Sequence, residues 1–172
     1  MIGQRVEQAF NEQIKHELES SYLYLAMSGY FLGQSLDGMA QWMRAQAQEE
    51  LGHAMRFFDH IDERGGTVKL AALGLLANAW DSPLAAFEAA LEHERFITGK
   101  INHLVDLARQ ESDHAGEIFL QWFVSEQVEE ESSVSKVVDL LKRVGDSAQA
   151  LLLADRELGT RAAPGGTTAE DE

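Results

Sequence analysis

Four glutamates occupy positions where this sequence otherwise places apolar residues. Read in heptads, Phe10, Glu17, Tyr24 and Phe31 form one row. Met43, Glu50 and Phe57 form a second, with Ala47, Ala54 and Ile61 beside it. Phe87, Glu94, Ile101 and Ala108 form a third. Phe123, Glu130 and Val137 form a fourth, flanked by Leu120, Gln127, Val134 and Leu141. Each row is apolar at its ends and acidic or amide in the middle, whereas a plain core stripe stays apolar throughout. Unpaired buried carboxylates cost several kcal/mol each, and no Lys or Arg shares these rows at that height. Two divalent cations would balance four carboxylates. His53 follows Glu50 by three residues and so shares its helical face; a neutral imidazole is a common metal ligand. Oxygen ligands with one nitrogen suit iron or manganese, and the absence of cysteine excludes a thiolate zinc site. The alternative without metal is a layer of protonated carboxyls or a wet cavity.

These residues need long helices to hold them, and the sequence permits such helices. Proline occurs only at positions 83 and 164, so helix interiors are free of its disruption. The periodicity predicts helices over about residues 3–31, 37–64, 83–109 and 112–143, then a short fifth helix over about 146–158. Gly33 to Gly38 reads as a turn, Gly65-Gly66 closes the second helix, and Asp81-Ser82-Pro83 opens the third. Short loops make the first and second helices antiparallel neighbours, and likewise the third and fourth. The stretch 65–82 is long enough to return along a helix of about 40 Å, since an extended chain covers up to about 3.3–3.6 Å per residue. The third helix then starts parallel to the second. The expected fold is all-α, a four-helix bundle with one long crossover and a short fifth C-terminal helix. Glu17, Glu50 and Glu94 lie near the midpoints of their helices, and Gln127 and Glu130 straddle the fourth midpoint. The four carboxylates should therefore meet in one layer.

Composition narrows the function. A chain of 172 residues with 45% hydrophobic content favours one domain with a sizeable core. Asp and Glu number 29 against 14 Lys and Arg, a formal charge of −15, which disfavours nucleic acid as a partner. No apolar run is long enough to span a membrane, and the first residues lack the apolar segment of a secretory signal, so a cytoplasmic protein is expected. Residues 1–158 read as one domain, and 159–172, with a Pro-Gly-Gly and an acidic end, as a flexible tail.

The segments QAQEELGHAMRFFDHI (46–61) and FLQWFVSEQVEEE (119–131) carry a Glu-x-x-His and a Gln-x-x-Glu. With NEQIKHELESSYLYLAMS (11–28), they resemble the non-haem bacterial ferritins, over about residues 3–158. The resemblance implies a ferritin-like di-iron bundle. Glu17, Glu50 and His53 would bind one iron; Glu94, Glu50, Gln127 and Glu130 would surround a second, with Glu50 bridging. General di-iron bundles place a second Glu-x-x-His where this chain has Gln127 and Glu130. In bacterioferritins a haem-binding Met follows the bridging Glu; here Leu51 does, so no haem is expected. The resemblance further implies oxidation of Fe(II) by dioxygen or peroxide, and storage of ferric mineral in a homo-oligomeric shell of about 24 copies.

Glu49, Glu126 and Glu129 neighbour the ligands in sequence but point about 100° away on the helix; the family uses such residues as a third iron site, and a solvated acidic face is the other reading. Tyr24, two turns from Glu17, is placed to hydrogen-bond a site carboxylate or give an electron, or to serve simply as a core tyrosine. Trp122 reads as a redox neighbour or a packing residue. His16, His60, His93, His103 and His114 have no partner at ligand spacing and receive no role. Two rival functions remain: a di-iron or manganese peroxidase of the same fold that stores nothing, and a metal-free structural bundle.

Overall fold

The computed structural model describes residues 1–74 and 77–161. Five helices follow in order: α1 Gln4–Gly33, α2 Asp37–Glu63, α3 Pro83–Gln110, α4 His114–Val144 and α5 Ala148–Leu158. The protein is all-α, as its periodicity requires, and the helix ends follow local chemistry. Ser82 caps α3 by accepting from Ala85 N at 3.1 Å, with Pro83 in the first turn. Gly65 ends α2 at φ 68° and Gly145 ends α4 at φ 54°, conformations that cost glycine little. Helix α4 starts two residues later than its periodicity suggests. Ser112 takes a left-handed φ of 54° and Asp113 becomes the cap, accepting from Gly116 N at 3.2 Å and from Arg64 at 2.7 Å.

The 65–82 connection has no regular structure among its described residues, and α1 acts as its rail. Asn11 donates to Thr67 O at 3.0 Å and accepts from Lys69 N. Glu19 accepts from Gly74 N at 2.8 Å, and Trp80 meets Tyr30 edge to face with centroids 5.5 Å apart. These contacts climb α1 in order, so the connection traverses the bundle and starts α3 parallel to α2. That is the long-crossover topology.

Helices α1 and α2 approach closely, with Ser21 and Ser28 hydroxyls donating across to Ala47 O at 2.7 Å and Ala40 O at 3.0 Å. The apolar core between the four long helices divides into two clusters. Tyr24, Met27, Phe31, Met43, Phe87 and Leu141 belong to one. Phe10, Ile14, Phe57, Ile61, Ile101 and Phe123 belong to the other. Between them lies the carboxylate layer.

Helix α5 docks across the start of α2. A Cβ on Gly38 would lie 1.7 Å from Asp155 O, so only glycine admits this backbone approach. Asp155 Oδ1 also accepts from Met39 N at 2.8 Å. Of the segment expected as a tail, Gly159 to Arg161 continue this docking, with Gly159 against Gly38; residues 162–172 lie outside those described.

Candidate metal centre

All four mid-row glutamates are buried: Glu17 1%, Glu50 1%, Glu94 0% and Glu130 4% exposed, with His53 and Gln127 beside them at 5% and 4%. One helix contributes each carboxylate, so no helix alone builds the site. Glu17, Glu50 and His53 bring one potential ligand atom apiece to within 4.8 Å of each other. The Nδ1 of His53 is 3.2 Å from Glu50 Oε2. A second such group joins His53 and Glu130 with Glu126, whose Oε1 lies 3.9 Å from His53 Nε2. The two rings of ligand atoms share His53.

Charge is the problem this layer poses. Among the described residues no Lys or Arg forms a salt bridge with Glu17, Glu50, Glu94 or Glu130. Burial, which penalises the ionised form, pushes the Glu17 carboxyl up to about 7. It pushes Glu130 up to about 8, with Glu94 adding repulsion. Glu50 is held well above the usual range by burial and then by Glu94 and Glu17; burial likewise raises Glu94. His53 falls to about 4 through burial and the nearby Arg56. With His53 neutral near pH 7, its contact with Glu50 is a hydrogen bond rather than an ion pair. A neutral imidazole can ligate a metal as it stands, and protonated carboxyls become ligands when a metal displaces their protons.

Neutral donors hold the carboxyls in place. Gln13 Nε2 donates to Glu17 Oε1 at 2.9 Å, while Glu17 Oε2 is buried with no partner among the described residues beyond the Glu50 carboxyl. Gln46 Nε2 donates to Glu130 Oε2 at 2.8 Å. The Tyr24 hydroxyl donates to Glu94 Oε1. Gln127 Nε2 lies 3.3 Å from Glu94 Oε2, 3.2 Å from Glu94 O and 3.3 Å from Thr98 Oγ1. Gln13, Gln46 and Thr98 were not among the candidates from sequence. Each lies four residues from a site glutamate (Glu17, Glu50 and Glu94), a spacing that puts them on the same face.

The flanking acids separate from one another. Glu126 is half-buried and reaches His53; Glu49 is half-buried and accepts from Arg161 at 2.6 Å; Glu129 is exposed. All three line a cavity of about 500 Å³ that also touches Glu130. Trp122 sets its edge against His53 at 5.5 Å, under the Arg56 guanidinium at 3.7 Å. The other histidines pack elsewhere. His60 stacks on Phe119 at 3.9 Å, His93 Nε2 meets Ser20 Oγ at 2.7 Å, and His16 sits between Glu12 and Glu19.

The family described as Ferritin-like domain matches residues 7–144. A protein named bacterial non-heme ferritin from Bacteroides fragilis (strain 638R) is 44% identical over 161 residues, covering 94% of this chain and 100% of that protein. One of the same name from Staphylococcus aureus (strain MRSA252) is 35% identical, covering 94% and 97%. The solved structure described as a novel open pore ferritin from the hyperthermophilic archaeon Archaeoglobus fulgidus superposes with a TM-score of 0.93. It is 49% identical and covers 94% of this chain and 100% of that one. A closed form of that ferritin, engineered by site-directed mutagenesis, also gives 0.93, at 50% identity and coverages of 94% and 99%.

Proposed function

This chain belongs to the ferritin family, and from that premise we propose that it stores iron and oxidises Fe(II) to Fe(III) in the buried carboxylate layer. The observation that carries the proposal is the convergence of four buried carboxyls that no basic side chain balances. They come from four helices, burial lifts every one, and among the described residues no Lys or Arg forms a salt bridge with them. Two ferrous ions satisfy that arrangement. In this reading Glu17, Glu50 and His53 Nδ1 take one ion; Glu94, Glu50, Gln127 and Glu130 take the other, with Glu50 between them.

As iron binds, the carboxyls that burial keeps protonated give up their protons, so metal binding and proton release are coupled. Each Fe(II) then loses one electron. Together they reduce one dioxygen to hydrogen peroxide with two protons, or one peroxide to water, and two Fe(III) result. The carboxylates favour the product because they stabilise the added positive charge. Gln127 is a neutral ligand and holds the second ion more weakly than a carboxylate would, which favours departure of the product. Tyr24 fixes Glu94 and is near enough to share an electron with the site. Glu49, Glu126 and Glu129 then offer a third place for iron on the cavity side, with Glu126 the link to His53.

Storage needs a shell, and we assign this chain to a homo-oligomer of about 24 copies, as closed assemblies reuse one self-complementary surface. Tyr22, Leu25 and Leu32 on α1 and Leu152 and Leu153 on α5 are more than 40% exposed in the single chain, which suits burial between copies. No helix among the described residues is long and apolar enough to cross a membrane, consistent with a cytoplasmic place of work. No haem is assigned, since Leu51 stands where a haem-binding Met would.

Aerobic loading with Fe(II), followed by size-exclusion chromatography with iron analysis, tests storage. A particle of about 24 chains retaining many irons per chain is expected. A dimer retaining two irons or fewer per chain would overturn storage and favour the peroxidase reading. Absence of bound iron would favour the structural bundle.

A further inference from the structure

The docked end of α5 delivers one cation to the acidic cavity beside the layer. Arg161 Nη2 donates to Glu49 Oε2 at 2.6 Å, across 112 positions of sequence. Its guanidinium carbon lies 4.6 Å from the Trp42 ring centroid, a cation–π distance. Its Nη1 is buried with no hydrogen-bond partner among the described residues. Behind it, the Gly38–Asp155 and Gly38–Gly159 backbone contacts and the Asp155–Met39 hydrogen bond fix where the segment leaves α5. Arg161 is thus aimed by backbone packing rather than drawn in from solvent by charge alone.

Its surroundings are acidic. Glu126, Glu129 and Glu130 line the same cavity of about 500 Å³, and Lys136 is the other basic residue there. Burial raises Glu49 and Arg161 pulls it back; the same guanidinium also lowers Glu130. Because arginine stays protonated at any working pH, this charge cannot leave by titration. It leaves Glu49 only when another cation takes the carboxylate.

We propose that Arg161 is a tethered counter-ion for the cavity-side carboxylates, holding Glu49 until a metal cation entering the cavity displaces it. This rests on the reading that the layer and its cavity handle iron. The pair satisfies Glu49 when iron is scarce and sets a threshold for occupancy outside the layer. A doubly or triply charged ion outcompetes the single charge of the guanidinium once its concentration suffices. Arg161 hydrogen-bonds none of the inner-layer ligands and reaches Glu130 only through its charge, so the inner layer is much less subject to this competition.

Calorimetric titration of the assembled, metal-free protein with Zn(II), which undergoes no redox chemistry, tests the proposal. The wild type is expected to show the inner-layer steps and a weaker cavity-side step. Arg161→Gln, which replaces the guanidinium with a flat neutral amide, is expected to tighten chiefly the weaker step, by on the order of tenfold, within the usual range of coupling between sites. Arg161→Lys retains the charge and should leave that step near the wild-type value. The double variant Arg161→Gln with Glu49→Gln should lose the gain. A weaker step that is unchanged or missing in Arg161→Gln, or a gain that survives removal of Glu49, would overturn the role of Arg161 while the inner steps stand. Loss of the inner steps from the wild type itself would overturn the iron reading, and this proposal with it.

Discussion

The Tyr24 hydroxyl donates to one carboxylate oxygen of Glu94, whose other oxygen lies 3.3 Å from the Gln127 amide. Glu94 is therefore oriented from α1 and α4 before any metal arrives. Tyr24→Phe removes one of these constraints and keeps the ring in the core. Partners that orient metal ligands are commonly worth about 10–100-fold in affinity or activity. Stopped-flow measurement of Fe(II) oxidation should show the initial rate reduced by about tenfold, with the protein still assembled. An unchanged rate would make Tyr24 a packing residue.

Glu50 is stabilising only with metal bound. Burial, Glu94 and Glu17 all oppose its ionisation in the empty layer. Glu50→Gln keeps the shape and deletes the charge, so metal-free protein in chelator should melt higher than wild type by about 3 °C or more, since about 1 kcal/mol moves Tm by about 2–4 °C at this size. The same variant should lose the Zn(II)-induced rise in Tm. A lower melting temperature in chelator would show that Glu50 is already satisfied without metal.

The raised carboxyls also fix a sign for pH dependence. Glu17 at about 7 and Glu130 at about 8 keep protons in the folded state that the unfolded chain has released above about 4.5. Their stabilisation is lost as pH rises through those values. Buried His53 and His93, both near 4, act in the opposite direction only below the ordinary histidine value of 6.5. The window from about pH 6.5 to 8 is therefore governed by the carboxyls. Metal-free protein should lose stability across it, while Zn(II)-loaded protein, with those protons already displaced, should hold level or gain. Calorimetry at fixed ionic strength reads both; equal slopes would contradict the assignment.

Gly38 tests how α5 is held. Ala at this position would drive its Cβ into the Asp155 carbonyl, with 1.7 Å to the oxygen and 2.6 Å to the carbon. Backbone cannot yield as a side-chain tip does, so α5 should undock, at a cost of about 1–3 kcal/mol or more. Hydrogen exchange at residues 148–158 should accelerate while α1 to α4 keep their protection. Unaltered exchange in α5 would mean that the contact relaxes without loss.

Much of this was legible in the sequence because bundle helices convert spacing into position. Heptad rows placed Glu17, Glu50, Glu94, Gln127 and Glu130 at one height, and their burial follows. The supporting residues carry a weaker signal: Gln13, Gln46 and Thr98 lie at the same four-residue spacing but look like ordinary polar positions. Other features had no local signal. Ser112 at a left-handed φ, which delays α4, depends on how Asp113 meets Arg64 from another helix. The Arg161–Glu49 pair spans 112 positions of sequence and depends on α5 docking through Gly38, so no periodicity could suggest it.

On the proposed reading, two metal ions occupy the layer between the two halves of the core. Crystals soaked anaerobically in Fe(II) and measured at the iron absorption edge locate them. Two anomalous peaks are expected inside each chain, one bounded by Glu17, Glu50 and His53 and one by Glu50, Glu94, Gln127 and Glu130. Peaks confined to the chain's surface, with the four carboxyls of the layer free of metal, would contradict that reading.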